Sequence, residues 1–295
     1  MRMIFIFIDG FGLGKADRAV NPLYAAKAPN IRCILERFKA IPTDAALGVK
    51  GLPQSATGQT TIFTGENAPR ILGRHLNGQP TETLKSIIYK NNLFMQLQQM
   101  GLKVTNSNVY SREYLEKMID SADRRYRPSV TSVMTMAQGI GFRTVEDYRE
   151  GRGIYHDITG QMLIERGYDI ENITPGQAAE RLYSISREND FTLYEHFMTD
   201  IIGHKMDMEL AVSEIELLDA FLGELAGLVD LNEDIIFITS DHGNIEDISV
   251  KTHTYNKVPT IIMGNMHRGH DMQIESLMDI TPAVTGIFKE IMNNG

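Results

Sequence analysis

The sequence has no tryptophan and a single cysteine, Cys33. One cysteine excludes a disulfide framework within the chain and fits a reducing compartment. Cys33 itself reads as a small buried hydrophobe rather than a catalytic thiol. Positive charge is also scarce: 29 Lys and Arg stand against 38 Asp and Glu, a formal net charge of −9. That balance argues against nucleic acid as a partner, because such binding needs a basic face. An anionic ligand would have to find its positive charge locally, and bound divalent cations can supply it. Long apolar runs are missing too. The run Met3 to Ile8 ends at Asp9, too soon for a signal core or a membrane span. The expected location is the cytoplasm, with no membrane partner. What is present is 42% hydrophobic and 23% charged residues over 295 positions, enough for one large α/β domain or a core with a small second unit.

Met3 to Ile8 is rich in β-branched and aromatic residues and reads as a fully buried strand of the parallel-sheet kind; Asp9-Gly10-Phe11-Gly12 then breaks it. Helical spacing of Ile31, Ile34, Leu35 and Phe38 predicts a helix over 28–38. Ser55 stands at the start of a short helix reaching Phe63, and a longer helix is expected over 84–100, closed by Gly101. A short strand begins at Lys103. Further strands are expected over 191–198, 235–239 and 258–263. A long amphipathic helix over 208–228 places Leu210, Leu217, Phe221, Leu225 and Leu228 on one stripe, and a last helix over 282–292 has Thr281 as its N-cap and Pro282 at its first position. Strands alternating with helices imply an α/β fold, a mostly parallel sheet with helices on both faces. The stretch 110–187 differs in texture. It is polar, lacks long apolar runs, and carries Arg124, Arg125, Arg127, Arg143, Arg149 and Arg152. It reads as a small inserted cap between core segments 1–109 and 188–295, with a helix over 178–186 leading back.

The polar residues of note follow strands. Asp9 comes after 3–8, Asp200 after 191–198, and Asp241-His242 after 235–239. His204 lies one helical turn past Asp200, and His253 precedes the strand that starts at Val258. Ligands in such sheets bind beyond the carboxyl ends of the strands. Carboxylate with imidazole suits Zn²⁺, Mn²⁺ or similar ions. The set is too large for one tetrahedral site and sufficient for two, and a metal pair forms a clamp for in-line displacement at phosphorus. Asp241 and His242 would point to opposite faces of a regular strand. Both reach one ion only if the chain turns, and Gly243-Asn244 supplies that turn. Singly, each of these residues also fits a turn, a cap or a surface pair. Ser55 likewise reads either as an N-cap or as a hydroxyl at a helix terminus whose free N–H groups attract anions.

Taken together, Phe7-Ile8-Asp9-Gly10, Ser55-Ala56-Thr57-Gly58 with Thr64-Gly65, Asp200-Ile201-Ile202-Gly203-His204, Asp241-His242-Gly243-Asn244, and His253-Thr254 before Val258-Pro259 resemble the alkaline phosphatase superfamily. The resemblance is to the branch of cofactor-independent phosphoglycerate mutase and phosphopentomutase, in its compact form. It covers both core segments, and 110–187 does not match the mutase insert. The resemblance implies that Asp200, His204 and His253 hold one divalent ion, and that Asp9, Asp241 and His242 hold the other. It makes Ser55 a nucleophile that also touches metal, ahead of its neighbours Thr57, Thr60 and Thr61, because Ser55 has the family's offset from Gly65. Mn²⁺ follows from the mutases and Zn²⁺ from the wider superfamily.

The expected activity is phosphoryl transfer from a small-molecule phosphate ester through Ser55, completed by water in a phosphatase-type hydrolase. The alternative is a phosphomutase acting on a sugar phosphate or phosphoglycerate. A sulfatase or phosphodiesterase is a further reading, against which Ser55 lacks the following Pro-Ser-Arg of sulfatases; a non-catalytic metal-binding protein is another. Arg74, His75 and His156, or the arginines of 110–187, are candidates to hold the far end of the substrate, with solvent exposure as the competing reading. The sequence leaves the oligomeric state open.

Overall fold

The computed structural model describes residues 1–120, 123–264 and 273–294. Its centre is a six-stranded sheet. The strands are β1 (Met3–Ile8), β2 (Ile41–Thr43), β3 (Val104–Asn106), β6 (Phe191–His196), β7 (Ile235–Thr239) and β8 (Val258–Met263), in the order β2-β8-β7-β1-β6-β3. A two-stranded pair, β4 (Val109–Tyr110) with β5 (Arg143–Thr144), stands apart. β1 runs parallel to both β6 and β7, and β3 parallel to β6, whereas β8 is antiparallel to β7 and β2. The expected mostly parallel α/β sheet is thus present, with one reversed strand.

The apolar run of β1 sorts by the period of two that a strand imposes. Ile4, Ile6 and Ile8 join one core cluster and Met3, Phe5 and Phe7 the other. The first face is covered by the helices Pro29–Arg37, Pro175–Ser186 and Met208–Leu228, and the second by Ser55–Thr64, Leu93–Gln99, Val130–Ala137 and Ile280–Asn294. Phe5 fixes the second face: its ring stacks on Phe237 at 5.1 Å and meets Phe63 at 5.8 Å. Two helices of the 110–187 stretch therefore serve the core, one on each face.

Several expectations are corrected in detail. β6 stops at His196, and Met198 opens a short helix, Met198–Gly203, that carries Asp200. The helix expected over 84–100 is two, Glu82–Lys90 and Leu93–Gln99. Asn92 divides them, because its amide donates to the Ile88 carbonyl at 2.9 Å while its Oδ1 accepts from the Met95 N–H at 2.9 Å. The last helix starts at Ile280, behind a capping box of Ser276 and Asp279. Thr281 is thus inside it, donating to the Ile62 carbonyl at 2.7 Å. On Met208–Leu228 the buried stripe is Ala211, Ile215, Leu218, Leu222 and Leu225, joined by Phe221, and Leu210 is 43% exposed. Glu214 and Asp219 are also buried on that helix, Asp219 because it accepts from the Ile31 N–H at 2.7 Å and from Asn30. Cys33 is exposed, since the inward stripe of its helix is Ile31 and Ile34. No helix among the described residues is long and apolar enough to cross a membrane.

Candidate metal centre

β1, β6 and β7 lie side by side and point the same way, so the residues after them collect at one edge. Asp9 leaves β1 and Asp241-His242 leave β7 directly. Asp200 arrives one helical turn after β6, and that helix brings His204 to the same face four residues on. The turn at Asp9-Gly10 is tight. Gly10 has φ 70, and a Cβ there would stand 2.9 Å from Asp200 Cβ. Gly58, on the Ser55–Thr64 helix, lets that helix approach; a Cβ there would be 2.9 Å from the Asp241 backbone oxygen. Ser240 fixes the second turn by accepting from the Phe11 N–H at 2.9 Å and donating to the His242 carbonyl at 3.1 Å.

Two groups of ligand atoms result, each within a 4.8 Å span: Asp200, His204 and His253, and Asp9, Asp200 and His242. Asp200 lies between them, with Oδ2 3.5 Å from His204 Nε2 and Oδ1 3.4 Å from His253 Nε2. His242 Nε2 is 3.3 Å from Asp9 Oδ1 and 3.5 Å from Asp241 Oδ2. The Asp200, His204 and His253 set coincides with one set implied by the family resemblance. The second group has Asp200 where the resemblance implies Asp241, whose Oδ2 still lies 3.5 Å from His242 Nε2 while its Oδ1 accepts from the Gly10 N–H at 3.3 Å.

The donor set fits divalent ions. His204 Nδ1 lies 2.8 Å from the Lys251 carbonyl and His253 Nδ1 2.8 Å from the Pro53 carbonyl. A carbonyl only accepts, so each Nδ1 carries its proton, and each Nε2 is turned inward as the ligand atom. Those Nε2 atoms face each other at 3.1 Å. Two lone pairs repel at that distance, whereas two nitrogens about 2.0–2.1 Å from one tetrahedral ion stand about 3.3 Å apart. Buried carboxylates give a second indication. Burial, then the charges of neighbouring carboxylates, pushes Asp9 up and Asp241 well up from the ordinary carboxylate range. Burial also acts to raise Asp200, yet bonds from His253 and Asn244 and the charge of His242 hold it low. His242 is raised: burial opposes its charge, but the Asp9 bond and the Asp9 and Asp200 charges outweigh it. Crowded acids of this kind favour a cation among them.

Ser55 is the first residue of its helix rather than its cap. Gln54 is the N-cap and its side chain makes no capping bond. The Ser55 hydroxyl is thereby turned inward, its Oγ 3.0 Å from His242 Nε2 and 3.5 Å from Asn77 Oδ1. Thr57 Oγ1 instead donates to the Gln54 carbonyl at 3.1 Å, Thr60 Oγ1 to Ala56 at 2.6 Å and Thr61 Oγ1 to Thr57 at 2.8 Å, so these hydroxyls serve the helix.

The other candidates lie elsewhere. Arg74 is exposed. His75, lowered chiefly by burial, approaches the Val49 carbonyl at 3.2 Å. His156 packs 5.2 Å from the Phe197 ring, outside the ligand cluster. Arg125 pairs with Asp123, Arg152 with Asp147 and Glu150, and Arg149 with Glu146, while Arg143 donates to Thr105 Oγ1 at 3.0 Å. The Arg124 side chain lies outside the described residues. Three supporting residues escaped the sequence reading. Gln59 donates to both Asp9 Oδ2 and Asp241 Oδ2, at 3.3 and 3.4 Å; its position one turn past Ser55 was the available signal. Asn244, read only as a turn, donates to Asp200 Oδ1 at 2.7 Å. Glu246 gathers the Gly12 N–H at 3.2 Å, Asn256 at 3.0 Å and the Thr254 hydroxyl, with no local pattern to announce it.

A family model described as the Metalloenzyme superfamily matches residues 1–289. The chain is 28% identical over 101 residues to a 2,3-bisphosphoglycerate-independent phosphoglycerate mutase of Desulforudis audaxviator (strain MP104C), covering 32% of this chain and 20% of that protein. It is 34% identical over 104 residues to a protein of the same name from Gloeothece citriformis (strain PCC 7424), covering 30% and 20%. The matches thus span about a fifth of these relatives. Among solved structures, the PH0037 protein from Pyrococcus horikoshii is similar at a TM-score of 0.62 and 18% identity, over 98% of this chain and 96% of that one. The alkaline phosphatase from the Antarctic bacterium TAB5 is similar at 0.59 and 14%, over 98% of each. At these identities the likeness is one of fold.

Proposed function

The chain belongs to the Metalloenzyme superfamily, and from that premise we propose that it transfers a phosphoryl group from a small phosphate ester to water through Ser55. The observation that carries this reading is the Ser55 hydroxyl, 3.0 Å from His242 Nε2, at a helix N-terminus and against two groups of potential ligands. Asp200, His204 and His253 would hold one divalent ion, Mn²⁺ or Zn²⁺, and Asp9, Asp241 and His242 the other, with Ser55 touching metal. Such ions supply positive charge to the phosphoryl oxygens and ease ionisation of a bound hydroxyl. Two divalent ions outweigh three carboxylates and would leave a net positive pocket in an acidic protein.

The chain's own residues do the rest. Ser55 Oγ gives up its proton and attacks phosphorus in line as the P–O bond to the ester breaks, and the departing oxygen takes a proton to leave as the alcohol. Water then attacks phosphorus, breaks the Ser55 O–P bond, releases phosphate and returns a proton to Ser55. The Thr57 and Gly58 N–H groups already bond the Leu76 and Gln54 carbonyls, so anion binding at this helix start falls to Ser55 and Ala56. Gln59 and Asn244 hold the carboxylates in place. We treat 1–109 and 188–295 as the core and 110–187, apart from its two core-packed helices, as the cap that receives the substrate, and we place the protein in the cytoplasm. The similarity to named mutases favours one second reading, in which an acceptor hydroxyl of a sugar phosphate or of phosphoglycerate takes the group from Ser55.

Ser55→Ala tests the proposal. With Mn²⁺ or Zn²⁺ supplied, turnover of an aryl phosphate should fall on the order of 10³-fold or more. Retained turnover would overturn the assignment. Free phosphate against an isomerised ester separates hydrolase from mutase.

A further inference from the structure

A concavity of about 580 Å³ opens past the carboxyl ends of β3 and β6, and no step of the proposed chemistry yet uses it. Its place follows from the sheet. Asn108 and Tyr110 line it just past β3, and Phe197 lines it just past β6. Asn108 ties the two together, donating to the Glu195 carbonyl at 2.7 Å and accepting from the Glu195 N–H at 2.8 Å. β6 has β3 on one side and β1 on the other, and neighbouring strands stand about 4.8 Å apart. The chamber over β3 and β6 therefore abuts the ligand cluster over β6, β1 and β7. Phe197 joins them in sequence, since Asp200 follows it within one helical turn.

Half of the lining is aromatic, and Glu113, Arg125 and Arg166 line it too. Tyr110 stacks on Tyr114 with centroids 5.9 Å apart at 23°. The His156 ring lies 4.2 Å from Tyr155 and 5.2 Å from Phe197, and Tyr168 completes the surface. Of these, Tyr114, Tyr155 and His156 are uncharged at neutral pH. Burial pushes the Tyr114 and Tyr155 phenols up to about 12. It brings His156 down to about 3, helped by the charges of Arg166 and His196. The polar groups that would grip sugar hydroxyls are engaged within the protein. Glu113 accepts from Lys117 at 2.5 Å and Tyr126 at 3.1 Å, Arg125 pairs with Asp123, Asn108 is bonded to Glu195, Ser111 and Ser129 accept from the Tyr114 and Ser132 N–H groups, and Arg166 donates to the Tyr155 hydroxyl at 2.7 Å. What the chamber offers is ring faces, which bind planar rings by offset stacking. Its volume lies within the range of sites that enclose a whole organic ligand, and a three-carbon phosphate ester would leave most of it unfilled.

We propose that this chamber receives the organic part of the phosphate ester, and that this part carries a planar heteroaromatic ring, as in a nucleoside monophosphate. The proposal rests on the phosphoryl-transfer reading for the position of the phosphate, but the chamber can be tested without it.

The experiment has two arms. In the first, the metal-loaded protein is given adenosine monophosphate and glycerol 3-phosphate, and kcat/KM is compared. The nucleotide should be favoured, and Tyr114→Ala should lower its kcat/KM about tenfold and that of glycerol 3-phosphate by a clearly smaller factor, as expected for loss of one stacking partner. Tyr114→Phe, which keeps the ring, should behave as the parent. Tyr168→Ala is the second variant should Tyr114→Ala melt early. In the second arm, adenosine, which has no phosphate, is titrated into metal-free protein and followed by saturation-transfer NMR; binding should be present and weakened by Tyr114→Ala. Adenosine binding without turnover of either ester would sustain the chamber and sink the phosphoryl-transfer reading. Turnover lost in Ser55→Ala, with no preference for the nucleotide and no adenosine binding, would overturn the chamber alone. Tyr114→Ala lowering both esters equally would also overturn it.

Discussion

The metal centre and the aromatic chamber share one edge of the sheet and are built on opposite principles. The centre crowds Asp9, Asp200 and Asp241 around facing imidazoles, and burial drives Asp9 and Asp241 toward protonation. It is an unfavourable arrangement of charge held by rigid parts: strand ends, glycine turns and second-row bonds from Gln59, Asn244 and Ser240. The chamber sets aromatic rings among polar groups that are already paired, mostly on short helices and loops between 108 and 168. The difference separates two tasks. Groups whose charge must be exact in position are set just past strand ends and on the short helix that follows β6, and a group that only needs surface complementarity is set on the adjustable segment. Substitutions at the centre should therefore cost turnover on every substrate, and substitutions in the chamber should change discrimination among substrates.

Asp241→Asn should give the largest effect. The amide keeps the shape and removes a charge, so turnover of every phosphate ester should drop on the order of 10³-fold, and less than the parental divalent metal should remain bound by elemental analysis. If turnover fell for nucleotides only, the division between centre and chamber would be wrong.

Chelation should come next, with a pH dependence of defined sign. The folded carboxyls of Asp9 and Asp241 lie above their ordinary range. Their contribution to stability is full below the ordinary carboxylate range and is lost as pH rises through the raised values. Metal-free protein should accordingly lose melting temperature from pH 5 to pH 8. A divalent ion displaces those protons and binds more tightly as pH rises, so its stabilisation should grow over the same interval. At a hundredfold excess over Kd it should reach about 3 kcal/mol, or roughly 5–10 °C. Calorimetry with and without chelator measures both slopes, and a metal-induced shift that shrinks with pH would contradict the assignment.

The same contrast explains what the sequence disclosed. Met3–Ile8, Ile235–Thr239 and Val258–Met263 are apolar on both faces, so their runs were legible without any partner being known. Asp9 and Asp241-His242 were legible because they interrupt such runs. The register of Met208–Leu228 was harder. Leu210 looks inward by type but points to solvent, and Glu214 and Asp219 are buried; Asp219 has a distant partner on the Pro29–Arg37 helix, which no local pattern shows. The break at Asn92 follows from a side chain choosing between two backbone groups, a tertiary outcome. The chamber was illegible for the same reason. Tyr110, Tyr155, Tyr168 and Phe197 share no spacing, and only the fold of 108–168 against the end of β6 assembles them.

Glu195 lies where the two regions meet and offers the smallest and most local test. It sits on β6 with its backbone tied to Asn108 of the chamber, and it is wholly buried. Its Oε2 accepts from Thr131 Oγ1 at 2.5 Å. Burial is the main force raising its carboxyl well above the ordinary range, and the charges of Asp9 and Asp241 add to it. A raised acid stabilises the fold below its ordinary range and loses that contribution as pH rises. Glu195→Gln preserves the shape of the neutral acid and removes the titration. In chelated protein at pH 6 it should change stability by less than about 1 kcal/mol. At pH 9 it should melt above the parent, because the parent alone must keep a proton or bury a charge. With metals bound the gap should narrow, since the ions offset the carboxylates that push on Glu195. A variant that melts far below the parent at every pH would show that the carboxylate is needed ionised at this position, and would move it from the chamber to the charged centre.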